Sequence, residues 1–331
     1  MALGVLVDLD PKCTGTAPPP KAKGLPSQNG SKPCPKSLRA MKESLTILHI
    51  VTLSFTCEEV ELELSTGEVG AFGSGTPIIG LVHVRWLTAF LDFPSAPLGT
   101  FEKGCAFWQA VTGSTLSPTR GCSGEFATLL PAQGDAYLRV QRTGHGKPRC
   151  HLDLHVDDVQ AAVEAALSLG VTASAPGANL GLSSPGGLSF CLVSDRGAVE
   201  RPPVCAWPGG WSSLVDQLSL DVAPQDFDEE CALWAALNGW ERRSGSRPEF
   251  EYLVRPAEMP LRLLMQRLDE DSPAPCGAHL DLSCDDVDAE RERHEALGAV
   301  VVREMPNWTT LLDPVGLAYC ITRRDPSTGA L

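Results

Sequence analysis

"HLDLHVDD" stands at residues 151–158 and "HLDLSCDD" at 279–286. Side chains alternate along a strand, so in the first copy Leu152, Leu154 and Val156 share one face and His151, Asp153 and His155 the other. The same parity puts His279, Asp281 and Ser283 together in the second copy. Immediately after the first strand the period becomes helical: in "VQAAVEAALSLG", Val159, Val163 and Leu167 form one apolar stripe, Asp158 is placed to cap the first turn, and Gly170 to stop the last. A strand with an apolar and a polar face, then a helix, is therefore written twice.

Working outward, the repeat extends over most of the chain. "SGEFATLLPAQGDAYLRVQR" (123–142) matches "RPEFEYLVRPAEMPLRLLMQR" (247–267), "CAFWQAVTG" (105–113) matches "CALWAALNG" (231–239), and "SSPGGLSFCLV" (183–193) matches "LLDPVGLAYCI" (311–321). Phe101, Cys105 and Trp108 fall at helical spacing, as do Phe227, Cys231 and Trp234, giving each helix one stripe for a sheet. Each half-domain reads as strand, helix, then hairpin-linked strands. That is an α+β layout with an antiparallel-rich sheet rather than a doubly wound one.

These residues resemble the glyoxalase/bleomycin-resistance group of the vicinal oxygen chelate (VOC) superfamily, in two tandem glyoxalase-like copies. The resemblance implies paired βαβββ modules forming a cup-shaped, mostly antiparallel sheet with helices outside. The expected organisation is a leader at 1–81, a first domain at 82–195, a Pro/Gly-rich linker at 196–210, a second domain at 211–325 and a tail at 326–331. The resemblance implies no single reaction, since the group includes isomerases, dioxygenases, thiol transferases and drug-binding proteins.

Metal-dependent members hold a divalent ion through one residue on each of four cup strands, typically His or Gln on the first and third and Glu on the second and fourth. Here the third-strand place holds His151 and His279. The first holds Gln217 in the second domain but falls near Thr88 in the first; the second holds Gln141 and Gln266; the fourth holds Cys191 and Cys320. Without the two glutamates a hard, oxygen-seeking ion is disfavoured. No cofactor is therefore expected, the alternative being a zinc-like ion on Gln217, Gln266, His279 and Cys320. The expected ligand-binding residues are Tyr137, Gln141, His151, His155, Gln217, Gln266 and His279.

Three functional readings are open: a protein that binds a small apolar or aromatic molecule in its cups; a metal-dependent lyase, isomerase or dioxygenase stabilising an enolate; and a non-catalytic scaffold. The first is expected. The net charge of −14 disfavours nucleic acid and anionic membranes as partners. No apolar run approaches the ~20 residues of a membrane span. The twelve cysteines contain no C-x-x-C pair and read as thiols of a reducing cytoplasm. The tandem domains are expected to pair within the chain, a homodimer being the other arrangement. Residues 11–36 carry seven prolines among Gly, Ser and Lys, a composition expected to stay disordered, while "EEVELELS" (58–65) alternates like a strand. A natural start near Val82 is the corresponding expectation.

Overall fold

The computed structural model describes residues 82–173, 181–269 and 275–330. The expectations for 1–81, including the strand-like 58–65, fall outside the described residues.

The first domain runs β1 (Val84–Pro94), α1 (Thr100–Thr112), β2 (Thr115–Leu116), β3 (Phe126–Leu130), β4 (Leu138–Thr143), then β5 (Arg149–Val156), α2 (Val159–Ser168), β6 (Thr172–Ala173), β7 (Leu182–Ser183) and β8 (Ser189–Ser194). After a short β9 (Cys205–Ala206), the second repeats it: β10 (Ser212–Val222), α3 (Phe227–Asn238), β11 (Glu241–Ser244), β12 (Phe250–Val254), β13 (Arg262–Arg267), β14 (Gly277–Cys284), α4 (Val287–Ala296), β15 (Val300–Met305), β16 (Trp308–Leu312) and β17 (Ala318–Thr322). Each domain is two βαβββ modules in one open, cup-like sheet. The orders are β2-β3-β4-β1-β5-β8-β7-β6 and β11-β12-β13-β10-β14-β17-β16-β15. Within a module the last strand returns parallel to the first, and the modules meet through the antiparallel pairs β1–β5 and β10–β14.

Hydrophobic alternation sets the register. Leu152, Leu154, Leu280 and Leu282 are fully buried on the helix side, and burying each leucine contributes roughly 1.5–3 kcal/mol. A one-residue slip would turn His151, Asp153 and His155 under the helices instead. The caps hold the helix entrances: Ala161 N donates to Asp158 Oδ1 and Ala289 N to Asp286 Oδ1, both at 3.0 Å. Gly113 and Gly239, with φ of 64° and 69°, end α1 and α3 in the left-handed conformation that glycine adopts at least cost.

The helix stripes do more than the repeat suggests, because their tryptophans reach the other domain's sheet. Trp108 of α1 lies 5.3 Å from Tyr319 of β17, and its indole donates to Asp313 at 3.0 Å. Reciprocally, Trp234 of α3 lies 5.1 Å from Phe190 of β8. Its indole donates to Glu230, whose other oxygen accepts from Gly186 N of the first domain at 2.6 Å. Arg293 of α4 donates to the carbonyls of Ala110 and Val111, groups that the last turn of α1 leaves unpaired.

Candidate functional site

Register brings the second domain's polar residues into rows across its concave face. Gln217 of β10 sits beside Arg262 of β13 and Asp281 of β14, and Asp281 beside Cys320 of β17. The next row is Leu264, Ser219 and His279, and beyond it Gln266 stands beside Asp221. They enclose a cavity of about 450 Å³ whose remaining wall includes Phe250, Tyr252 and Trp308.

The rows form one polar network. His279 Nδ1 lies 3.0 Å from Asp221 Oδ2, and its Nε2 lies 3.3 Å from Asp281 Oδ1. Asp281 Oδ2 accepts from Ser219 Oγ at 2.7 Å and from the Gln217 amide. The Gln217 carbonyl in turn accepts from Arg262, with Nε at 2.7 Å and Nη2 as a second donor. Nearby, Arg324 makes a buried bidentate pair with Asp216 at 2.6 and 2.7 Å. Burial opposes charge on the His279 ring, but Asp221, Cys320 and Asp281 outweigh it and hold its pKa well above the imidazole range. Burial likewise opposes charge on Asp281, but His279, Arg324 and Ser219 keep its carboxyl below the usual range. The Cys320 thiol is pushed up, chiefly by burial.

Donor chemistry decides which ion these residues fit. His279, Asp281 and Cys320 offer one nitrogen, one oxygen and one sulfur, all within 4.8 Å of one another. Asp281 Oδ1 is buried without an aligned hydrogen-bond donor, and Asp221 orients His279 from behind. This set suits a zinc-like ion and not an octahedral, oxygen-rich one. The two glutamines expected as ligands line the same cavity. The Gln217 carbonyl is engaged by a guanidinium, whose charge would repel a dication there, and Gln266 stands level with Asp221. Asp281, which that expectation did not include, stands with His279 and Cys320. Its inward parity was readable, but the four-strand ligand pattern directs attention elsewhere, and only the register sets it between His279 and Cys320.

In the first domain the corresponding cup is occupied by the protein itself. Phe90 stands where the second domain has Ser219 and stacks on His151, with ring centres 4.5 Å apart and planes 10° from parallel. The Arg139 guanidinium lies over the Phe90 ring at 5.6 Å, and Phe126 meets Phe90 edge-on. His151 Nδ1 is 2.9 Å from Asp92 Oδ1, and His155 Nε2 is 2.9 Å from Thr88 Oγ1. Burial, with Arg139 adding to it, lowers the His155 pKa to about 4; burial and then Asp153 push the Cys191 thiol up to about 12. Gln141 is half-buried between Asp92 and Phe126. Tyr137 lies outside the cup: its buried hydroxyl donates to Val215 O at 2.7 Å, and it lines a separate cavity of about 370 Å³ with Trp207 and Leu214.

The sequence profile of the glyoxalase-like domain matches residues 99–193 and 217–322, more than half of the chain and both cups. The chain belongs to the glyoxalase-like domain family. Among solved structures, this glyoxalase-like protein is similar to a Mn(II)-bound glyoxalase from Novosphingobium aromaticivorans, with a TM-score of 0.50 and 18% identity over 73% of this chain and 83% of that one. It is also similar to an extradiol ring-cleaving dioxygenase from B. fuscum, with a TM-score of 0.50 and 12% identity over 76% and 75% of the two chains. At these identities the likeness is one of fold. Among curated proteins, none matches this sequence. No helix among the described residues is long and apolar enough to cross a membrane.

Proposed function

We propose that the glyoxalase-like protein binds one small, largely aromatic molecule in the cup of its second domain, and that the first domain acts as a structural partner with a self-filled cup. The contrast at one register position carries this reading: Ser219 leaves room for a cavity of about 450 Å³ walled by Phe250, Tyr252 and Trp308, whereas Phe90 fills the matching space. A neutral aromatic probe such as 2-naphthol, titrated against the full chain and monitored by tryptophan fluorescence, should saturate at one molecule per chain. Ser219→Phe should abolish that binding while the protein still melts cooperatively. Two equivalents bound, or binding unchanged by Ser219→Phe, would refute the assignment of the ligand to this cup.

The cluster of His279, Asp281 and Cys320 supports a second reading, a metal-assisted reaction at the same cup. A zinc-like ion on these residues would supply Lewis-acid polarisation of two adjacent substrate oxygens. Asp221 and Asp281 flank His279 and favour its protonated form, so a metal and a proton would compete for Nε2. Equilibrium dialysis against Zn²⁺ should give at most one ion per chain, lost in His279→Ala and retained in His151→Ala. Two ions held tightly per chain would contradict the inequality of the cups.

A further inference from the structure

Two arginines line the cavity of the second domain, and they differ in electrostatic state. Arg324 is neutralised by its bidentate partner Asp216. Arg262 is half-buried and has no carboxylate within 4 Å among the described residues. Its Nε and Nη2 are both spent on one neutral acceptor, the Gln217 carbonyl, and its face rests on Tyr252 with 5.3 Å to the ring centre. Those contacts fix the plane of the guanidinium and leave Nη1 without a protein acceptor among the described residues. Arginine is suited to recognising planar oxyanions through such an edge.

We propose, resting on the reading of the second cup as a ligand site, that it selects an aromatic molecule bearing a carboxylate, with Arg262 as the receptor of that anion. The rings of Phe250 and Trp308, edge to face at 5.8 Å, offer an apolar wall to the ligand's body. A single negative charge fits better than a double one, because Asp281 stands across Gln217 from Arg262 in the same row and would repel a phosphate dianion. Burial lowers the Arg262 pKa to about 10, so the side chain is charged at neutral pH and lacks a close countercharge. In the first domain the matching position is Tyr137, an uncharged residue whose hydroxyl is already committed to Val215. The first cup has its own guanidinium, Arg139, but that one lies over the Phe90 ring.

Calorimetric titration of the full chain with 2-naphthoate, 2-naphthamide and 2-naphthyl phosphate tests this. Naphthoate is expected to bind about tenfold or more tightly than the isosteric amide. Arg262→Met should erase that difference without weakening the amide, and Arg262→Lys should restore part of it. Equal binding of naphthoate and naphthamide overturns the anion receptor but leaves the aromatic cup standing. Failure of all three probes to bind overturns both, and tighter binding of the phosphate overturns the choice of a monoanion. Should Arg262→Met fail to fold, the comparison of acid with amide on the unaltered protein still decides.

Discussion

Phe90 and Ser219 occupy the same register position in two copies of one domain, each facing a histidine across the same pair of strands. A ring at the first position stacks on His151 and leaves that imidazole a packing role; a hydroxyl at the second bonds Asp281 and leaves His279 facing a cavity. Fold and strand parity are common to both, so neither separates the cup with the cavity from the one that holds a stacked ring. Side-chain volume at that position differs most between them.

The largest test of this difference lies at the buried ion pair that only the second cup uses. Asp216→Ala should strand the Arg324 guanidinium, which is 4% exposed, and lower stability by about 3–5 kcal/mol in urea unfolding. A loss below about 1 kcal/mol would show that the pair is open to water.

Phe90→Ser would make the first cup resemble the second, and truncation of a buried aromatic should cost about 3 kcal/mol or more. The sharper readout is a gain: the variant should bind a second equivalent of an aromatic probe. Unchanged stoichiometry would mean that Arg139 and His151 close the space without the ring.

Acid should distinguish the cups as well. His155 titrates near 6.5 when unfolded and at about 4 when folded, so the unfolded chain takes up the proton first as pH falls. Its contribution is fully present above pH 6.5 and is lost progressively down to about 4, on the order of 3 kcal/mol in all. The second domain has Ser283 at the matching place, so His155→Ser should be less acid-sensitive than the unaltered protein through that window. Identical slopes would refute the shift.

The smallest effect is expected at Gln266. It lines the cavity, so Gln266→Ala should weaken an aromatic ligand while changing stability by no more than about 1 kcal/mol. A greater loss in the ligand-free protein would make it a structural residue.

Period and repetition made the fold readable. The alternation of "HLDLHV" placed its leucines against the helices, and the matched blocks located both sheets. The site was readable only in part. Parity turned His279 and Asp281 inward, but pairing Asp281 with Cys320 depends on the register between β14 and β17, which lie far apart in the chain. Arg262 begins the half-apolar "RLLMQR", and nothing local signals that Gln217 will engage it. Phe90 lies among apolar residues of a buried strand, where sequence alone cannot tell a ring under the helices from one plugging a cup.

The exchanged tryptophans bear on how the chain melts. Trp108 and Trp234 each complete the packing of a sheet that belongs to the other half, so neither half can lose its tertiary order without uncovering an aromatic face on its neighbour. Two sheets joined in this way should behave as one thermodynamic unit, with a single heat-absorption peak whose calorimetric and van't Hoff enthalpies agree. Duplication gave the molecule two cups, while the crossing helices give it one cooperative transition.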